Sequence, residues 1–477
     1  MRAVRTASAC GLAVTSLLAA AADPDPRVAL GERLFSEMRF DSPLGDMDVG
    51  CTTCHARSDQ VGYRGFADAL GRSWHPWRNE DPGRETLRNA PGLFDLSGHS
   101  FIHTDGEFLS LEAQTEKTLT GRNFGWLPGE LEQARRQVAS ILRMDYAAGF
   151  SEAYRVDIAK ESDAACVHAA ARAIADFMRS LTSERASPYD AFVRENSLDE
   201  GPRPGEGPAA YGTRILSEID QREKTKTLAR APGFSDDALA GYRIFLQTKA
   251  NERNGNCVVC HVPPTFTDEN FHNTGVTQEE YDAIHGSGSF AKLDVPSAGT
   301  RPLDRFQKRA RLDRAGETDL GYWNFARYEN SPLYRPQEAE SEFRVRTIAT
   351  FKTPPLRNLP STPPYMHNGA YTSLESTLQQ KVEAAFLARM GDLRNADPDL
   401  SGIRIMEDDF KTLFAFLNAL CDAGTRTAEF RESAVVDSRV APSAYNYKPD
   451  ELDLVGTEDD PALAAEDDAA SNPDEIR

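Results

Sequence analysis

Cys51, Cys54 and His55 stand together in "GCTTCHARSDQ", and Cys257, Cys260 and His261 repeat the arrangement in "NCVVCHVPPTF". Two thiols three positions apart, followed at once by an imidazole, are the set that attaches a c-type haem. The thiols add across the two vinyl groups, and the ring next in sequence ligates the iron. Zinc is the competing chemistry. A closed zinc site takes four ligands, yet after His55 the next His is His75 and the next Cys is Cys166. The first motif therefore lacks a second ligand pair. Chance is excluded as well: with seven Cys and nine His in 477 residues, a random chain holds roughly 0.002 such pentapeptides. This one holds two. The residues point to two c-type haems, with His55 and His261 as iron ligands.

A flat apolar cofactor has to be buried between helices, and each motif has matching surroundings. "LGERLF" (30–35) precedes the first motif and "AGYRIF" (240–245) the second. Both read as a short amphipathic helix with Gly near its start and an apolar-Phe pair at its end. "AIADFMRSLTS" (173–183) and "FKTLFAFLNAL" (410–420) carry apolar residues at helical spacing and close each half. The expected fold is mainly α, with two tandem cytochrome c-like domains, each holding one covalently bound haem.

The organisation follows from these anchors. A signal peptide is expected over 1–22, an N-terminal domain over 23–200 and a C-terminal domain over 201–430. The join falls in the Gly/Pro-rich "SLDEGPRPGEGPAAYG" (197–212). The second half carries an insertion at about 284–344 containing "RPLDRFQKRARLDR" and "GYWNFARYENSPLYRP". That insertion reads as a solvated helix followed by a loop packing onto the core, with a docking surface for a partner as the sharper alternative. The acidic tail over 431–477 buries too little to order itself.

Arg2 and Arg5, an apolar stretch and the small residues before "ADPDP" form a secretory signal, too short to span a membrane. No later stretch reaches the ~18 apolar residues a span needs. A periplasmic location is expected, in keeping with covalent haem attachment. The formal charge of −20 argues against nucleic acid as a partner. Cys10 would leave with the signal and four cysteines would attach haem, so Cys166 and Cys421 remain. An oxidising compartment permits their pairing, but apolar helical surroundings favour buried free thiols.

The tandem motifs, together with "CVVCHVPPTFTDENFHNTGV", "FKTPPLRNLPSTPPYMHNGAYTSLE", "LRNAPGLF" and "TDGEFLSLEAQ", resemble the bacterial di-haem cytochrome c peroxidase family, which includes the MauG enzymes. The resemblance implies that the C-terminal haem collects electrons from a small redox protein, a cytochrome c or cupredoxin, and that the N-terminal haem binds hydrogen peroxide. It also implies that members often dimerise. His75 stands near the position of a His that occupies the peroxidatic iron before activation, with a surface loop His as the blander reading. Gln114 matches the family's active-site Gln.

Several positions depart from the family. The proton-shuttling Glu, ten residues beyond the Gln, is here Phe124, and a phenyl ring does no acid–base work. Glu130 is the nearest substitute. The Trp between the haems is Thr104, its flanking Arg is Glu107, and His103 lies next door. The sixth ligand of the second haem, Met or Tyr in the family, falls on Lys381, with Met390 as a softer alternative. On one continuous helix those two lie about 13 Å apart along the axis, so only one can face the haem. Asn89, Thr362 and Pro364 match positions that hold a calcium ion between the domains, and calcium takes such oxygen ligands.

These features imply a peroxide-using oxidoreductase, either a peroxidase fed by a redox protein or a MauG-like enzyme oxidising a protein or organic substrate. An apolar Phe124 also suits dioxygen binding, and hence an oxygenase. A different class, a di-haem electron carrier without peroxide turnover, fits the loss of the Glu and the Trp.

Overall fold

The computed structural model describes residues 25–45, 48–55, 57–58, 62–63, 88–248, 253–296, 303–326, 329 and 331–422. The expected signal peptide, His75 and the acidic tail lie outside the described residues.

The described chain is mainly helical. The first half runs α1 (Pro26–Phe35), α2 (Cys51–Cys54), α3 (Leu111–Leu119), α4 (Leu131–Ile141), α5 (Ala147–Tyr154) and α6 (Asp163–Ser180). The second half runs α7 (Pro188–Glu195), α8 (Pro208–Lys224), α9 (Asp236–Leu246), α10 (Val276–His285), α11 (Leu303–Phe306), α12 (Glu340–Arg346), α13 (Leu374–Met390) and α14 (Phe410–Ala419). Strand is confined to two short antiparallel pairs, β1 (Arg57–Ser58) with β2 (Gly62–Tyr63) and β3 (Phe271–His272) with β4 (Phe351–Lys352).

The helix before each motif packs on the helix that closes the same half: α1 on α6, and α9 on α14. The two crossings are built alike. Gly31 on α1 meets the Ala173 carbonyl and the Cβ of Phe177, and a Cβ there would sit 2.7 Å from that atom. Gly241 on α9 meets the Thr412 carbonyl and the Cβ of Phe416, at 2.9 Å. In each half only Gly lets the backbones approach this closely. Ser162 and Ser235 cap α6 and α9 by accepting from Ala165 and Ala238 N–H. The buried face of α6 comes from Cys166, Ala170, Ala173, Ile174 and Phe177, an i, i+4, i+7, i+8, i+11 stripe.

Two separate apolar cores result. One gathers Leu34, Phe35, Phe124, Trp126, Phe150 and Phe177, and the other Tyr189, Phe192, Tyr211, Phe245, Phe266 and Phe416. Each such fully buried side chain contributes roughly 1.5–3 kcal/mol. Because Tyr189, Phe192 and Val193 already pack in the second core, the packing changes over before α7. That is ahead of the 197–212 stretch where composition suggested the join.

The insertion packs inward over α10 and forms a small core of Phe290, Phe306, Leu320 and Trp323. Tyr322 and Trp323 are 2% and 1% exposed, so the start of the aromatic run is interior, whereas Tyr334 further along is 39% exposed. Cys166 and Cys421 are buried and form no disulfide. No helix among the described residues is long and apolar enough to cross a membrane.

Candidate haem sites and their surroundings

Each Cys-x-x-Cys-His stretch forms a single turn closed by the same bond. The N–H of His55 donates to Cys51 O at 2.9 Å, and that of His261 to Cys257 O at 2.8 Å. In the first turn Gly50 is extended, and its N–H donates to Thr53 Oγ1 at 3.1 Å. In the second, Asn256 takes the left-handed conformation with φ of 50°, which Asn tolerates.

The turns deliver desolvated ligands. Burial holds both His55 and His261 down to about 4 and pushes the Cys51 and Cys257 thiols up to about 12. All four side chains nevertheless keep accessible surface. Neutral imidazole is the form that ligates iron, and a protonated thiol is the form that adds to a vinyl group. The residues present therefore fit a c-type haem in each half.

The two imidazoles differ in support. His261 Nδ1 lies 3.0 Å from the Phe266 carbonyl. Donation there fixes the tautomer and leaves Nε2 for a metal, the usual support of a ligating His. His55 Nδ1 is buried without a hydrogen-bond partner among the described residues. Phe35 packs beside His55 with ring centroids 6.2 Å apart, and His103 lowers its basicity further by its charge.

The residues expected around the first haem divide clearly. Gln114 is half-buried on α3, and its amide Nε2–H donates to Thr118 Oγ1 at 2.8 Å. Phe124 is 2% exposed within the first core, and its carbonyl accepts from Ser42 N–H at 2.7 Å. It is a packing residue. Glu130, the substitute acid, accepts from Leu127 N–H at 2.9 Å and closes the turn before α4. His103 packs edge-on against Phe108, with Glu107 3.8 Å away.

Around the second Cys-x-x-Cys-His turn, Lys381 and Met390 separate as helix geometry requires. Met390 ends α13 and is 62% exposed. Lys381 points the other way, with its Nζ 3.9 Å from Met366 Sδ. It acts electrostatically on His261 and is acted on by Cys257 and Cys260. Burial holds its amine down to about 8.

Residues 25–198 match the family described as di-haem cytochrome c peroxidase. The chain is related to the di-haem cytochrome c peroxidases and to MauG. Cytochrome-c peroxidase IdrP1 of Denitromonas iodatirespirans is 23% identical over 395 residues, covering 83% of this chain and 81% of that protein. Methylamine utilization protein MauG of Methylorubrum extorquens is 24% identical over 395 residues, covering 83% and 78%. The crystal structure of the diheme peroxidase BthA from Burkholderia thailandensis shares the fold, with a TM-score of 0.50 at 18% identity over 84% of this chain and 87% of that one.

The two halves meet beside the first site. Arg88 bridges Asp105 at 2.6 Å and Asp319 at 2.7 and 2.8 Å. Where the family has its Trp, the Thr104 carbonyl accepts from Lys352 N–H at 2.7 Å. Phe351 stacks on His367 with centroids 3.5 Å apart and an 11° tilt. Sequence reasoning missed this pair. "FKTPP" and "PYMHNG" were visible, but nothing local says that they stack.

Asn89 does reach the second half. Its N–H donates to His367 O at 2.7 Å, and Nδ2 lies 2.6 Å from Pro364 O. Its Oδ1 is buried without a partner among the described residues. Turning the amide over would set Oδ1 beside the Pro364 carbonyl, two hard oxygens converging as calcium requires. Thr362 serves its own turn, with N–H and Oγ1 both donating to Leu359 O at 3.0 Å.

One further cluster escaped sequence reasoning. His272 sits between Asp397 at 2.7 Å and Asp268 at 2.9 Å, and those carboxylates hold it up to about 12 despite burial. The charged ring ties the loop after the second motif to the segment before α14.

Proposed function

We propose that the protein is an exported, periplasmic di-haem oxidoreductase that uses hydrogen peroxide. In one version it takes electrons from a small redox protein such as a cytochrome c or cupredoxin, and in the other it oxidises a protein or organic substrate in MauG-like fashion. The observation that carries the reading is the paired Cys-x-x-Cys-His turns, each presenting a desolvated imidazole and thiol on a repeated helix crossing. Cys51, Cys54 and His55 would hold one haem, and Cys257, Cys260 and His261 the other.

When bound, the haem iron supplies the redox chemistry, cleaving the peroxide O–O bond and storing oxidising equivalents. The chain's part is to hold, orient and insulate. His261 is aimed by the Phe266 carbonyl. Gln114, whose amide N–H now donates to Thr118, would be the chain's hydrogen-bond donor to peroxide at the first site. The Phe124 core keeps water from the first site. Electrons crossing between the halves would pass the junction where Lys352 N–H donates to Thr104 O and Phe351 stacks on His367. Asn89 with the Pro364 carbonyl would hold calcium at the same junction.

A second reading, an electron carrier without peroxide turnover, draws on one observation. Phe124 is core and Glu130 is engaged by Leu127, so neither supplies the family's acid. Stopped-flow mixing of the partly reduced holoprotein with hydrogen peroxide separates the two. A rapid Soret change that reverses with added reduced cytochrome c supports the peroxidase. A rapid change that cytochrome c leaves alone supports the MauG-like version. Slow bleaching alone leaves the carrier or a dioxygen-using oxygenase.

A further inference from the structure

Lys381 lies mid-way along α13, a 17-residue helix capped by the Ser373 side chain. Lysines on a helix of this kind usually reach solvent along their flexible stems. This one turns toward the second haem turn. A desolvated ammonium normally pairs with a carboxylate. Among the described residues, the single polar contact of Nζ is the Met366 sulfur at 3.9 Å.

The nearby acid does not fill that role. Glu279 feels Lys381 electrostatically, but its Oε1 accepts from Tyr371 O–H at 2.5 Å. Burial pushes the Glu279 carboxyl up to about 7, which weakens it further as a counter-charge. An amine with no ion pair among the described residues, which acts electrostatically on His261 and is acted on by Cys257 and Cys260, has the character of a metal donor. Beside it stands a second donor of opposite chemical kind. Met366 adopts φ of 68° in the "PYMHNG" turn, which ties its carbonyl to Gly369 N–H at 3.2 Å and turns its side chain toward Lys381.

We propose that the Lys381 amine and the Met366 thioether compete for one axial position on the C-terminal haem iron, the amine holding it when ferric and the thioether when ferrous. This rests on the haem attachment read at Cys257, Cys260 and His261. The physical reason is ligand softness. A neutral amine is the harder donor and suits the more highly charged ion, whereas a thioether favours the reduced one and raises the potential. The 3.9 Å between the donors is a gap that side-chain rotation covers, so the exchange needs no movement of α13.

The step balances. One electron from the donor reduces the iron, the iron–nitrogen bond breaks, and the iron–sulfur bond forms. The released amine takes one proton from solvent. Reoxidation returns that proton and the electron. The site would then bind electrons cooperatively with ligand exchange and slow their escape until the amine rebinds.

The test uses the full-length holoprotein, with haem counted by the pyridine haemochrome and ligation read by EPR and near-infrared absorption. Ferric haems with a thioether ligand show a weak long-wavelength sulfur-to-iron absorption that amine-ligated haems lack. Wild type should hold two haems per chain and lack that band when ferric. Lys381→Ala and Lys381→Arg should both gain it, because a guanidinium stays protonated and cannot ligate. Met366→Leu should leave the ferric spectrum unchanged and alter only the ferrous one. Ferric spectra of both Lys381 variants identical to wild type would overturn the amine ligand. A ferrous Met366→Leu spectrum identical to wild type would overturn the exchange. A wild-type count of one haem per chain would overturn the attachment reading itself, and the proposal with it.

Discussion

Replacing Arg88 with Ala should break the junction between the two halves, and the structure sets the size of the loss. Its guanidinium neutralises two carboxylates at once, Asp105 at 0% and Asp319 at 2% exposure. Removing one member of a buried ion pair costs about 3–5 kcal/mol, because the partner charge is left uncompensated. Two backbone donors remain: Glu107 N–H at 3.2 Å from Asp105, and Gly321 N–H at 2.9 Å from Asp319. They offset part of the loss and place it near the lower end, about 3 kcal/mol. The Arg88→Lys variant keeps the charge but not the fork, so it should lose about half as much.

The loss should also depend on pH. Burial already pushes the Asp105 carboxyl up with Arg88 present, and without the cation it rises further. A carboxyl whose folded pKa exceeds its unfolded value weakens the fold above that folded value. The penalty fades as pH falls toward the unfolded value of about 3.9. Arg88→Ala should therefore be more damaging at pH 8 than at pH 5. Urea unfolding of the holoprotein, followed by far-ultraviolet circular dichroism at both pH values, measures this. A loss under about 0.5 kcal/mol, the range of ordinary surface changes, would refute the argument. So would an equal loss at the two pH values.

Other parts of the structure make further predictions. Gly31→Ala and Gly241→Ala should each force their helix crossing apart and cost about 1–3 kcal/mol despite better helix propensity, read as lowered urea midpoints. A neutral result in either would mean that the crossing is looser than the 2.7 and 2.9 Å approaches indicate. Phe124→Glu, which restores the family's acid, should destabilise the first half by more than about 3 kcal/mol, since it removes a core ring and buries a charge. A stable variant with faster peroxide turnover would show that the site has room for the acid after all. Glu37 is held at about 2 by hydrogen bonds from Arg39, opposed by burial, with Tyr146 adding to the lowering. Its contribution should be present above pH ~4.5 and fade as pH falls toward 2, so Glu37→Gln should flatten the acid limb of the stability curve. Chelator treatment should lower the melting temperature of wild type, and Asn89→Ala should abolish that response if Asn89 holds calcium.

The chemistry of this protein was legible where it depends on neighbours in the chain. A Cys-x-x-Cys-His turn closes within five residues, so its geometry is local, and the paired helices around each motif carry their own apolar period. Even the close-packed glycines announced themselves, since Gly31 and Gly241 hold the same place in "LGERLF" and "AGYRIF". Other features belong to tertiary structure alone. The Arg88–Asp319 bridge spans 231 positions, and the Asn89 contact with Pro364 spans 275. No periodicity encodes such pairings, because they exist only once two cores have been brought together. The same holds for roles. Phe124 reads as a lost acid in sequence, but the fold makes it core. Glu130 reads as a spare acid, and the turn before α4 uses it. Lys381 and Met390 are both candidates along the chain, and only the direction of α13 sends one toward the second Cys-x-x-Cys-His turn and the other into water. Local chemistry is set by bond geometry over a few residues, whereas charge pairing and access are set by which distant surfaces exclude water from one another.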